Sequence, residues 1–110
     1  MKTSAWVLAT LGAVLGALGQ ICFKYGADGR GSLSELINTW IALGVLLYSF
    51  GTVLWILALS TAPLTKIYPF TALTFVLVNI FGILMLGERL SGNAMVGVAL
   101  ILIGLLLIAT

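Results

Sequence analysis

The chain contains no histidine and a single cysteine, Cys22. No disulfide can close within it, and most metal sites built from His and Cys are excluded. Charge is scarce as well. Only 7% of residues are Asp, Glu, Lys or Arg, against roughly a quarter in a soluble domain. Five Lys/Arg against three Asp/Glu are too few and too scattered for a nucleic-acid surface, and no base-stacking motif accompanies them. No serine is paired with a histidine, and no glycine loop follows a strand. The expectation is a protein that is not an enzyme and that needs no metal or cofactor.

What fills the chain instead is hydrocarbon. It is 62% hydrophobic with a mean hydropathy of +1.26. Charge-free stretches cover residues 3–23, 36–65, 67–87 and 90–110. Each reaches the ~20 residues that a membrane-spanning helix needs. These runs predict an all-α membrane protein, a bundle of four transmembrane helices at about 4–25, 35–59, 64–86 and 93–109. Residues 1–110 then form one domain with almost no soluble part. The first run lacks an A-x-A-like cleavage site and carries Gln20 and Lys24 at its far end, so a retained helix is expected rather than a signal peptide. Cys22 falls inside this run and reads as a small apolar packing residue.

The punctuation is sparse. Gly26, Gly29 and Gly31, with Asp28 and Arg30 between them, mark a solvent-exposed turn. Ser32 and Glu35 have capping-box spacing ahead of helix 2. Pro63 stands in the link to helix 3, and Pro69 in the first turns of that helix removes a backbone bond. Residues 87–92 form the last turn, where Glu88 and Arg89 read as a solvated pair. Both termini fall on one side with Lys2 and Lys66, opposite Lys24, Arg30 and Arg89. That balance fixes no orientation by the positive-inside rule. Either a partner sets the topology, or the chain inserts both ways.

Polar groups inside spans demand a reason. Gly12, Gly16, Gln20 and Lys24 recur every four residues of helix 1, a slowly rotating stripe. Its glycines suit close helix approach, and Gln20 with Lys24 suits a polar cavity wall. Lys24 also lies near enough to the interface to snorkel. Lys66, at the start of helix 3, is either an interfacial anchor or a cation for an anionic headgroup. Tyr68, Thr71, Phe75 and Asn79 share roughly one face of helix 3, which suits a groove or a packed interface. Tyr48, Ser49 and Thr52 give helix 2 a weak polar stripe, because Ser and Thr can satisfy their own helix carbonyls. Trp6 and Trp40 read as interfacial belt residues, whereas Trp55 is deep enough to face a cavity. No span holds a carboxylate, which matters because proton-coupled transport usually needs an ionisable group at depth.

Three ordered stretches resemble the drug/metabolite transporter superfamily in its four-helix, small-multidrug-resistance-like or EamA-like form. They are residues 19–24 (GQICFK), residues 54–69 with their Trp55, Pro63 and Tyr68-Pro69, and residues 87–104 from the GERLS turn to Gly104. Small multidrug exporters carry a glutamate in helix 1 where this chain has Gly16, which argues against proton-driven export of cationic drugs. The Gly-Gln-x-Cys segment and the Tyr-Pro pair are closer to the paired subunits that flip aminoarabinose-phosphoundecaprenol across bacterial inner membranes.

That resemblance implies a multi-pass protein of the bacterial inner membrane, working as a homodimer or with a similar four-helix subunit. Gly97, Ile101 and Gly104 on helix 4 are the expected dimer interface. The implied partner is a lipid-linked sugar phosphate among membrane lipids, with no nucleic acid. Lys66 or Lys24 would hold the phosphate. Gln20, Tyr68, Thr71, Asn79 and Trp55 would line the path of the sugar. The alternatives are export of small metabolites or amphipathic cations, and a non-transporting partner subunit.

Overall fold

A computed structural model describes residues 3–109; Lys2, placed beside Lys66 by the charge pattern, lies outside them. The helices are α1 (Thr3–Ala27), α2 (Thr39–Leu59), the single turn α3 (Leu64–Ile67), α4 (Phe70–Leu86) and α5 (Gly92–Ala109). Ser4–Ala27, Thr39–Leu59 and Leu64–Leu86 are each long and apolar enough to cross a membrane. Gly92–Ile108 is apolar but shorter. The 18 residues of α5 still extend about 27 Å, close to the ~30 Å hydrocarbon thickness.

The helices stand nearly in a row. α1 packs on α2 along its length and on α4, and α5 leans chiefly on α4. The molecule measures 43 × 35 × 18 Å, so its thin direction is less than two helix diameters. Such a slab has little interior. Large apolar side chains instead cover its outside, among them Leu46, Phe50, Leu84, Leu100 and Leu107, as suits a surface solvated by lipid.

The tightest contact is between α1 and α2, and small residues make it. Ala5, Gly12, Gly19 and Gly26 recur every seven residues on α1, and Gly44, Gly51 and Ala58 do so on α2. The helices run antiparallel with Gly12 against Gly51 and Gly19 against Gly44. A methyl group on Gly12 would come 2.9 Å from the Gly51 carbonyl oxygen, and one on Gly19 would come 3.1 Å from that of Gly44. Small residues let backbones approach this closely, and close packing drives helix association in lipid. At one end Ala5, Ala9, Ala58, Ile67 and Phe70 form a buried cluster. Trp6 meets the Phe70 ring edge-on at 5.4 Å, which accounts for it by packing as well as by an interfacial position. At the other end Trp40 lies 4.9 Å from the Tyr25 ring, and the Tyr25 hydroxyl donates to the Met85 carbonyl at 3.0 Å.

Two boundaries differ from the expected ones. The Ser32–Glu35 pair does form, with the Glu35 amide donating to Ser32 Oγ at 3.4 Å, but it closes only an isolated turn. Asn38 is the true N-cap of α2, its Oδ1 accepting from the Ile41 amide at 3.1 Å. Its own amide group donates to the carbonyls of Gly26 and Glu35, which holds it extended and delays the helix to Thr39. The third predicted helix is broken at Tyr68-Pro69, where i to i+3 bonds from Thr71 to Tyr68 and from Ala72 to Pro69 replace the regular ladder around the missing proline N–H. At the far end of α4, Gly87 takes φ +70°. Its turn returns the Glu88 amide to the Gly82 carbonyl at 3.1 Å, a left-handed C-cap.

Candidate functional site

α2 and α4 flank α1 with no extensive packing on one another, which leaves a groove of about 440 Å³ between them. Its floor is α1, through Ala13, Gly16 and Gln20. One wall is α2, through Tyr48, Thr52 and Trp55, and the other is Tyr68, Thr71 and Thr74 at the α3–α4 break. Gly16 keeps the floor low, and Gly51 does the same at the foot of the α2 wall. No charged side chain lines the groove among the described residues. Gln20 sits seven residues before the end of α1, about 10 Å along the axis, so its amide lies well inside the span.

Four of the expected binding residues therefore meet in one place: Gln20, Trp55, Tyr68 and Thr71. Three do not. Lys24 reaches outward to Asp28, with Nζ 3.5 Å from Oδ1 and both side chains largely exposed. Lys66 turns to the far end of the chain and donates to the Ile108 carbonyl at 3.1 Å. A cation at a helix C-terminus complements the dipole and an otherwise unpaired carbonyl, so Lys66 caps α5. Asn79 donates to Phe75 on its own helix at 2.8 Å. Four residues of α-helix advance about 40° beyond a full turn. The run Thr71–Phe75–Asn79 thus drifts off the groove in one direction, whereas Thr74, a three-residue step that turns about 60° the other way, lies in it. On α1 the same rotation puts Gly12 in the α2 seam, Gly16 and Gln20 in the groove and Lys24 outside.

Thr74 escaped the sequence reading, although the three-residue step from Thr71 would have found it. Its hydroxyl donates to the Ala13 carbonyl at 3.2 Å and ties α4 to α1. Tyr48 and Thr52 signalled only weakly, and Thr52 does bond its own helix, at the Tyr48 carbonyl. On α5, a methyl group added to Gly97 or Gly104 would meet nothing within 4 Å. Ile101 is half-covered, while Met95, Val96, Leu100 and Leu106 are exposed.

The sequence profile of the EamA-like transporter family matches residues 2–110. The chain is 33% identical over 108 residues to the probable 4-amino-4-deoxy-L-arabinose-phosphoundecaprenol flippase subunit ArnE of Pectobacterium atrosepticum, covering 94% of this chain and 96% of that protein. The proteins of the same name from Klebsiella pneumoniae and Pseudomonas savastanoi pv. phaseolicola are 29% and 31% identical. They cover 97% and 90% of this chain, and 97% and 91% of their own lengths. No solved structure matches significantly.

Proposed function

The chain belongs to the EamA-like transporter family, and from that premise we propose that it is one subunit of a flippase in a bacterial inner membrane. Its substrate is a polyprenyl-phosphate-linked sugar of the undecaprenyl type, moved without covalent chemistry. The observation that carries this reading is the groove. Gln20, Tyr48, Trp55 and Tyr68 turn toward one uncharged groove in an otherwise lipid-facing slab. A headgroup rich in hydroxyls satisfies such groups, while a polyprenyl tail stays in lipid beside the slab. The groove is open along the slab, so a second four-helix subunit, identical or similar, would supply its missing wall. Alternating exposure of the paired groove then moves the headgroup.

Export of amphipathic cations is the competing reading. The groove offers it aromatic rings but no carboxylate among the described residues. Gly16 lies on the groove floor where the resembling exporters carry their acid. One reconstitution separates the two readings. Liposomes containing the purified protein, with and without a co-expressed partner, should speed transfer of undecaprenyl-phosphoryl aminoarabinose between leaflets. They should release no protons when a quaternary ammonium compound is added. Stoichiometric proton release without lipid transfer would reverse the assignment.

A further inference from the structure

Three groove residues have a hydrogen-bonding polarity that bears on which part of the substrate enters. Thr52 Oγ1 donates to the Tyr48 carbonyl at 2.9 Å, Thr71 Oγ1 to the Tyr68 carbonyl at 2.8 Å, and Thr74 Oγ1 to the Ala13 carbonyl at 3.2 Å. A threonine hydroxyl has one proton and two lone pairs. With all three protons committed to backbone carbonyls, these oxygens have only acceptor capacity left. They stand on both walls of the groove, Thr52 on α2 and Thr71 and Thr74 on α4.

Resting on the flippase reading, we infer that the groove selects the sugar through these three acceptors and leaves the phosphate outside. A phosphate oxygen is itself an acceptor and meets those lone pairs unfavourably. An anion drawn into a low-dielectric groove also needs a cation, and the described lining has none. Both candidate lysines are engaged elsewhere, Lys24 beside Asp28 and Lys66 on the Ile108 carbonyl. Sugar hydroxyls have the opposite character, because each brings a proton for an acceptor. The Trp55 and Tyr68 rings offer apolar faces to the C–H side of a sugar ring, and the Gln20 amide can donate to the sugar's own oxygens. Thr52 and Thr71 make the informative variants, because their bonds are local, to carbonyls four and three residues back, whereas Thr74 joins two helices.

The test compares two lipids on the full chain in nanodiscs: undecaprenyl-phosphoryl aminoarabinose and bare undecaprenyl phosphate. Thr52→Val and Thr71→Val should each weaken binding of the sugar-bearing lipid by about threefold to tenfold, the size of one lost hydrogen bond. Binding of the bare phosphate should stay within about twofold of wild type, well below that range. Thr52→Ser and Thr71→Ser keep the oxygen and should bind both lipids as wild type does. Parallel losses for the two lipids would mean that the groove holds the phosphate or that the fold has changed, and either overturns the inference. Discrimination that survives both valines overturns it while sparing the flippase reading. Wild-type protein that binds neither lipid overturns both.

Discussion

Two regions of the molecule carry glycines seven residues apart, and they use them differently. Gly12 and Gly19 of α1 face Gly51 and Gly44 of α2 with no room for even one more carbon. Gly97 and Gly104 of α5 face nothing within that reach. Both spacings produce a smooth helix face. The first is closed by a backbone in the same chain, and the second is only half-covered, with no atom within 4 Å of a carbon added to either glycine. Spacing alone therefore says that a face can be approached closely, and the topology says by what. In α1 and α2 the answer lies in the chain. For α5 we propose that it lies in a second subunit, whose α5 would pack along Gly97, Ile101 and Gly104.

The sharpest way to break the contrast is to fill the closed seam. Gly12→Leu or Gly51→Leu drives a side chain into a backbone carbonyl about 3 Å from the first added carbon, and a backbone atom cannot rotate away. Overpacking of this kind costs about 1–3 kcal/mol and occasionally more, and an unyielding backbone contact puts these variants toward the upper end. Loss of monodisperse protein in detergent, or a large drop in the thermal midpoint, is the expected readout. A midpoint near wild type would mean that α1 and α2 are less closely apposed than described.

A smaller effect separates the caps of the same two regions. Asn38 holds the start of α2 through the Ile41 amide and two carbonyls, and Asn38→Ala should cost about 1 kcal/mol. Lys66 holds the end of α5 through one carbonyl on an exposed surface, so Lys66→Gln should cost less than about 1 kcal/mol. Lys66→Arg keeps the charge and should lie between Gln and wild type. Equal or reversed losses in equilibrium unfolding would show that α5 is fastened as firmly as α2. A loss of lipid transfer in Lys66→Gln, with stability held, would return Lys66 to the phosphate.

The helical architecture was legible because it needs only long apolar runs and a few breakers. The breaks at residues 26–31 and at Gly87 are local chemistry, which sequence carries well, whereas Pro69 interrupts a helix expected to run unbroken over about 64–86. Half of the groove was legible too, since a glutamine and a deep tryptophan in a span have few other uses. What escaped was rotation. A four-residue stripe drifts by about 40° per step, so Gly12, Gly16, Gln20 and Lys24 read as one face but belong to a seam, a groove and a rim. The seven-residue series Ala5, Gly12, Gly19 and Gly26 stays on one face and marks the seam. The partners of Lys66 and Asn38 were out of reach for another reason. Lys66 bonds across 42 positions and Asn38 across 12, and no local pattern encodes such distances.

The smallest expected effect on the single chain is the most instructive. Gly97→Leu and Gly104→Leu add bulk where the first added carbon meets nothing in the same chain within 4 Å. Their effect on monomer stability should fall within the ±0.5 kcal/mol typical of substitutions away from tight packing. If α5 is the subunit seam, the same two variants should lose dimer, because a leucine at a close helix crossing forces the backbones apart. Monomer stability and dimer content must therefore be measured on the same samples, the first by thermal unfolding at high dilution in detergent. The second is read by cross-linking in bilayers across a range of protein-to-lipid ratios. Intact monomers with lost dimers would give α5 the role in trans that α1 and α2 play in cis. Intact monomers with unchanged dimers would move the seam to another exposed face, such as the Leu46 and Phe50 side of α2. Destabilised monomers would mean that α5 packs on α4 more tightly than described and that the contrast between the two regions is smaller than their glycines indicate.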